Sequence, residues 1–188
     1  MTTLASLWLP ILLSAVFVFV VSSLIHMVLQ LHKNDYVKLA QEEQVLSTLR
    51  DFGVGAGQYM FPCASSSKEW KSLEMQHKFQ RGPVGTLIVR APNSLNIGKA
   101  LLQWFVFSIV VSVFVAYLTS HVLAPGAHYL QVFRIAGTAA VLGYASSSVM
   151  DSIWKGVSWL TTLRFVIDGV VYGLVTAGTF GWLWPASS

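Results

Sequence analysis

Four stretches of this chain stay apolar for longer than a soluble core helix needs: Leu4 to Leu29, Ile97 to Leu123, Tyr129 to Met150 and Ser158 to Trp184. Crossing the hydrocarbon core of a bilayer takes about 20 residues of helix. Within it every backbone N–H and C=O must be satisfied inside its own segment. The reading is an all-α membrane protein with four transmembrane helices, over 1–29, 97–123, 129–150 and 158–184. A small α+β segment, 30–96, lies between the first two. Charged residues make up 11% of the chain, against roughly 25% in soluble domains, which excludes a water-soluble globule. A single cysteine, Cys63, excludes a disulfide framework.

The first apolar run has no basic residue ahead of it and no small-x-small pattern after Ser23, so it reads as a retained anchor rather than a cleaved signal. Lys and Arg set the orientation, because they accumulate on the cytoplasmic side. Nine of the twelve fall between the first two apolar cores: Lys33, Lys38, Arg50, Lys68, Lys71, Lys78, Arg81, Arg90 and Lys99. The connection between the third and fourth spans adds Lys155, whereas the Ala124–His128 turn has none. Both termini are therefore expected outside and the 30–96 segment in the cytoplasm. Trp8, Tyr129, Trp182 and Trp184 mark the outer boundary.

In the cytoplasmic segment, Gln41 to Phe52 reads as an amphipathic helix with Val45, Leu49 and Phe52 on one stripe and Gly53 as its stop. A second helix is expected from Ser66, with Glu69 completing a capping box, to just before Gly82. Its apolar contacts are expected to be Trp70, Leu73 and His77. Tyr59–Phe61 and Thr86–Arg90 suit two short paired strands. The segment is too small to bury a comfortable core of its own, so it is expected to lean on lipid or a partner. Its basic residues are diluted by six acidic ones and lack interleaved aromatics, which argues for anionic lipid and against nucleic acid.

Charges inside spans are costly and face protein or water. Three occur: Arg134, Arg164 and Asp168. Arg164 and Asp168 are four apart and can pair, and Tyr172, Thr176 and Thr179 extend that face into a polar stripe. Beside it runs the GxxxG of Gly169 and Gly173. The third span carries Gly137 and Gly143 among further small residues, so these two spans are expected to pack closely with the stripe turned inward. Arg134, with no acid at its own level, either snorkels or meets an anionic group on a partner. The first span has few small residues beyond Ser14, Ser22 and Ser23 and is expected at the periphery. Trp104, Phe105, Phe107 and Phe114 of the second are expected to face lipid or another subunit.

No nucleotide, hydrolase or metalloprotease motif occurs. Of the five histidines, only His121 and His128 share a depth, both at the water boundary, so no haem, metal or other cofactor is expected and no catalytic residue is assigned. The segments Ser23–Leu29, Met60–Cys63, Gly82–Gly85, Ser152–Gly156 and Thr176–Pro185 resemble a group of small bacterial integral membrane proteins with no assigned function. That resemblance implies the bacterial inner membrane and carries no functional residue with it.

The leading expectation is a non-catalytic accessory or assembly subunit of a larger membrane complex, with other membrane subunits or copies of itself as partners besides the bilayer. A small homo-oligomeric transporter or channel using the polar stripe is the alternative. A third reading, an enzyme acting on lipid at the inner surface, requires His26, His32 and Asp35 to converge.

Overall fold

The computed structural model describes residues 3–187. In chain order the elements are α1 (Leu4–Val28), α2 (Glu42–Asp51), β1 (Gly57–Phe61), α3 (Ser67–Trp70), α4 (Leu73–Arg81), β2 (Gly85–Val89), α5 (Ile97–Val122), α6 (Tyr129–Lys155) and α7 (Trp159–Trp182). The chain divides into two compact units, one of residues 3–35, 97–153 and 157–187, the other of 36–96 with 154–156.

The first unit is a bundle of α1, α5, α6 and α7. Three of these helices, α1, α5 and α7, are long and apolar enough to cross a membrane. The 129–150 stretch lies within α6. This helix has 27 residues and is long enough, but it carries Arg134, Thr138, a run of serines at 146–148 and Asp151, and it is the least apolar of the four. Its small residues serve packing. A Cβ on Gly169 would lie 2.7 Å from that of Ala145, and one on Gly173 would lie 2.4 Å from a Val141 methyl. A Cβ on Gly137 would lie 3.1 Å from that of Ala177, and one on Gly143 would lie 3.0 Å from a Val111 methyl of α5. The GxxxG of α7 is thus spent inside the chain, on α6, where only glycine leaves room for the backbones to approach.

The first span is not peripheral. It packs against both α5 and α7 and buries Leu7, Pro10, Ser14, Ala15, Val18, Ser22 and Ile25. Serine and alanine at a spacing of three or four make a face narrow enough for this. Ser14 Oγ and Ser112 Oγ of α5 hydrogen-bond across it at 2.9 Å. Trp104 also turns inward: its indole Nε1 donates to Ser22 Oγ at 2.8 Å, while Phe107 and Phe114 remain exposed. At the far end of the bundle, Trp184 Nε1 donates to the Ala124 carbonyl (3.0 Å) and the Gly126 N–H to that of Pro185 (2.8 Å). These bonds tie the tail to the α5–α6 turn.

In the second unit β1 and β2 form an antiparallel ribbon, with Tyr59 opposite Leu87. α2 ends where Gly53 takes φ +64°. The helix expected from Ser66 is broken into α3 and α4, because Ser72 starts a new one by accepting the Met75 N–H. Ser66 accepts the Glu69 N–H, while the Glu69 carboxylate reaches back to the Ser65 N–H. Trp70 stacks on Phe79 with ring centroids 5.5 Å apart. Met75, rather than Leu73, is the buried apolar contact.

Candidate functional site: a charged cluster beside an apolar cavity

The site is made by the way α1 ends. Its last turn widens to an i→i+5 pattern, the Leu29 N–H bonding to the Leu24 carbonyl. Such π-turns recur at functional positions. Gln30 then adopts φ +50°, and two successive turns follow, closed by Lys33 N–H to Gln30 and Asp35 N–H to His32. Had the helix run on, His26 and His32 would be about 9 Å apart along its axis. The reversal instead brings their rings to 4.5 Å.

Around them gather Asp35, Arg164 and Asp168. His32 Nδ1 is 2.6 Å from Asp35 Oδ2, and its Nε2 is 2.8 Å from Asp168 Oδ2. His26 Nε2 is 3.6 Å from the same Asp168 oxygen. Arg164 Nη1 donates to Asp35 Oδ1. The expected Arg164–Asp168 pair is therefore replaced: each takes a partner from the loop after α1, because that loop folds back over the start of α7. Both carboxylates are buried, whereas the His26 side chain is 40% exposed. Burial pushes the Asp35 carboxyl up, but the hydrogen bonds and charge of His32 and Arg164 outweigh it and hold it below the usual carboxylate range.

A cavity of about 450 Å³ opens beside the cluster. Ser22, Ser23, His26 and Met27 line it from α1, Ile97, Ala100, Leu101 and Trp104 from α5, Tyr144 and Ser148 from α6, and Phe165, Asp168 and Tyr172 from α7. Met27, Ile97 and Leu101, from the last turn of α1 and the first turns of α5, are exposed at its rim. Trp104, Tyr144 and Tyr172 form an aromatic wall, with centroids 5.6–6.1 Å apart. The hydroxyls of Tyr144, Tyr172 and Thr176 are buried and make no hydrogen bond within the described residues.

No protein-family model, curated protein or solved structure matches this chain. The site has to be read from its own chemistry.

Among the polar residues singled out from sequence, Asp168, Tyr172, Thr176 and Thr179 are buried along α7. The open hydroxyls stop at Thr176, since Thr179 Oγ1 donates to the Val175 carbonyl beside the fully buried Phe180. Arg134 lies apart, exposed on α6. Depth along straight helices separates His26 from His32 and gives no ligand pair, yet the structure brings both together with Asp35, the convergence that the third reading requires. Their i,i+6 spacing, with Asp35 three residues on, was the only signal.

Proposed function

We propose that the protein is a four-span protein of the bacterial inner membrane, α6 being the fourth span and both termini facing outward, that takes up a lipid-like molecule at the cytoplasmic end of its bundle. The observation that carries this reading is a cavity with apolar and aromatic walls, a rim of exposed apolar side chains and a cluster of histidine and carboxylate groups at its edge. An amphipathic guest fits those surroundings, its chain against Leu101, Phe165 and Trp104 and its polar head at His26 and Asp168. His26, exposed and oriented beside a carboxylate, is the group able to exchange a proton with a bound head. The positive-inside distribution of Lys and Arg supports the orientation, and the close packing of α6 on α7 supports its place as a span.

The test is native mass spectrometry of the full chain extracted in mild detergent from its own membranes. Wild type is expected to retain a lipid-sized adduct at one per chain. Leu101→Trp, which fills the mouth of the cavity, should lose it, while Phe114→Trp on the exposed face of α5 should keep it. A wild-type protein with no adduct, or an adduct indifferent to Leu101→Trp, would overturn the reading.

A second reading, an accessory subunit of a larger complex, is favoured by Arg134, whose guanidinium is exposed on a span with no partner among the described residues. It predicts co-purification with other subunits in fixed ratio. Recovery as a lone monomer from native membranes removes it.

A further inference from the structure

His32 is held between two carboxylates. Both of its ring nitrogens face carboxylate oxygens, Asp35 at 2.6 Å and Asp168 at 2.8 Å. A neutral imidazole has one N–H, so it can satisfy one of these contacts and turns a lone pair toward the other. Two carboxylates and one guanidinium also leave the group one positive charge short, in a place where both carboxylates are shielded from water. A cation lying between His32 Nε2 and Asp168 Oδ2 would supply that charge.

Three donor atoms are grouped where such a cation would lie. His26, His32 and Asp168 each offer one ligand atom, a ring nitrogen or a carboxylate oxygen, and the three lie within 4.8 Å of one another; Asp168 Oδ2 is 2.8 Å from His32 Nε2 and 3.6 Å from His26 Nε2. Ligand atoms on a tetrahedral zinc ion, bonded at about 2.0–2.1 Å, are about 3.3 Å apart, so the spread requires only small side-chain adjustments. The remaining nitrogen of His32 is held by Asp35, which Arg164 anchors in turn. This carboxylate–histidine relay is the arrangement that fixes the tautomer of a metal-ligating imidazole and raises its basicity.

We propose that His26, His32 and Asp168 form a binding site for a divalent transition-metal ion of the zinc type, with Asp35 and Arg164 as positioning residues. Two imidazoles and one carboxylate suit zinc or ferrous iron and leave coordination positions open. His26 and Asp168 both line the cavity, so the open positions lie on its side. The inference goes beyond the lipid reading, and a metal held there would meet a polar head in place of His26 and Asp168 themselves.

The test uses the tag-free full chain in detergent, stripped with chelator and titrated with zinc chloride and, as a spectroscopic probe, cobalt chloride. One equivalent of zinc per chain is expected, with visible cobalt ligand-field bands of low-coordinate type. His26→Gln, at a half-exposed position that leaves the bundle core intact, should abolish both. Asp35→Asn should weaken binding by roughly 10- to 100-fold, and His121→Gln, at the other end of the bundle, should change nothing. Asp168→Asn is a further ligand variant, read only if its helix content matches wild type. Absence of stoichiometric zinc in wild type, or zinc and cobalt binding undiminished in His26→Gln, would overturn the proposal while leaving the lipid adduct to be judged on its own experiment.

Discussion

At the scale of single residues the cluster is a set of mutual dependencies. Removing one partner of a buried ion pair strands the other, which costs far more than the pair contributes. Asp35→Asn should therefore lower unfolding stability in detergent by about 2–3 kcal/mol, read by chemical denaturation, because Arg164 and His32 both lose their anion. A neutral result would mean that the Arg164 head finds water instead. The Ser14–Ser112 hydrogen bond is a milder case. In the membrane interior such bonds average about 0.6 kcal/mol, and a double-mutant cycle of Ser14→Ala and Ser112→Ala should return a coupling of that order. A coupling near zero would show that each hydroxyl is content with its own helix, where Ser14 Oγ already reaches the Ile11 carbonyl and Ser112 Oγ that of Ser108.

At the scale of elements, α6 and α7 depend on the absence of side chains. Gly169→Ala puts a methyl 2.7–2.8 Å from Ala145 backbone and side-chain atoms, so the helices must move apart, at a cost of about 1–3 kcal/mol. Gly178→Ala meets only the Tyr129 hydroxyl at 3.8 Å and should stay within about 0.5 kcal/mol of wild type. Thermal unfolding of the pair in detergent separates the two, and equal losses would argue against close α6–α7 contact. This contact was legible in the sequence because GxxxG and the Ala/Gly run of α6 are local patterns with one physical use. The inward face of α1 was less legible. Its serines and alanine are scattered through valine and phenylalanine, and only the Ser14–Ser112 and Ser22–Trp104 bonds show what they face. The cluster itself could not be read from periodicity. Its formation rests on a π-turn and on Gln30 at φ +50°, a backbone state that costs a non-glycine residue about 1–2 kcal/mol and leaves no mark in hydrophobic spacing. Arg164 and Asp168 were visible as expensive charges, but i,i+4 spacing pointed them at each other when each had a better partner in the returning loop.

At the scale of the whole molecule, the proposed orientation can be checked with the chain's own chemistry. Cys63 is the sole cysteine and is exposed, in the segment proposed to face the cytoplasm. A membrane-impermeant maleimide should leave it unlabelled in intact spheroplasts and label it in inside-out vesicles, and the reverse pattern would invert the topology. The cluster joins parts of the chain made at very different times: His32 meets Asp168 across 136 positions and Asp35 meets Arg164 across 129. A chain emerging from the ribosome therefore carries a histidine pair and an unneutralised Asp35 at the end of its first span until its last helix is threaded. Arrival of α7 brings Arg164 to Asp35 and Asp168 to His32, so it supplies both groups with partners without changing their summed formal charge. A product truncated before α7 leaves Asp35 with His32 alone and without its guanidinium, so the loop after α1 lacks the two bonds that fasten it to the bundle.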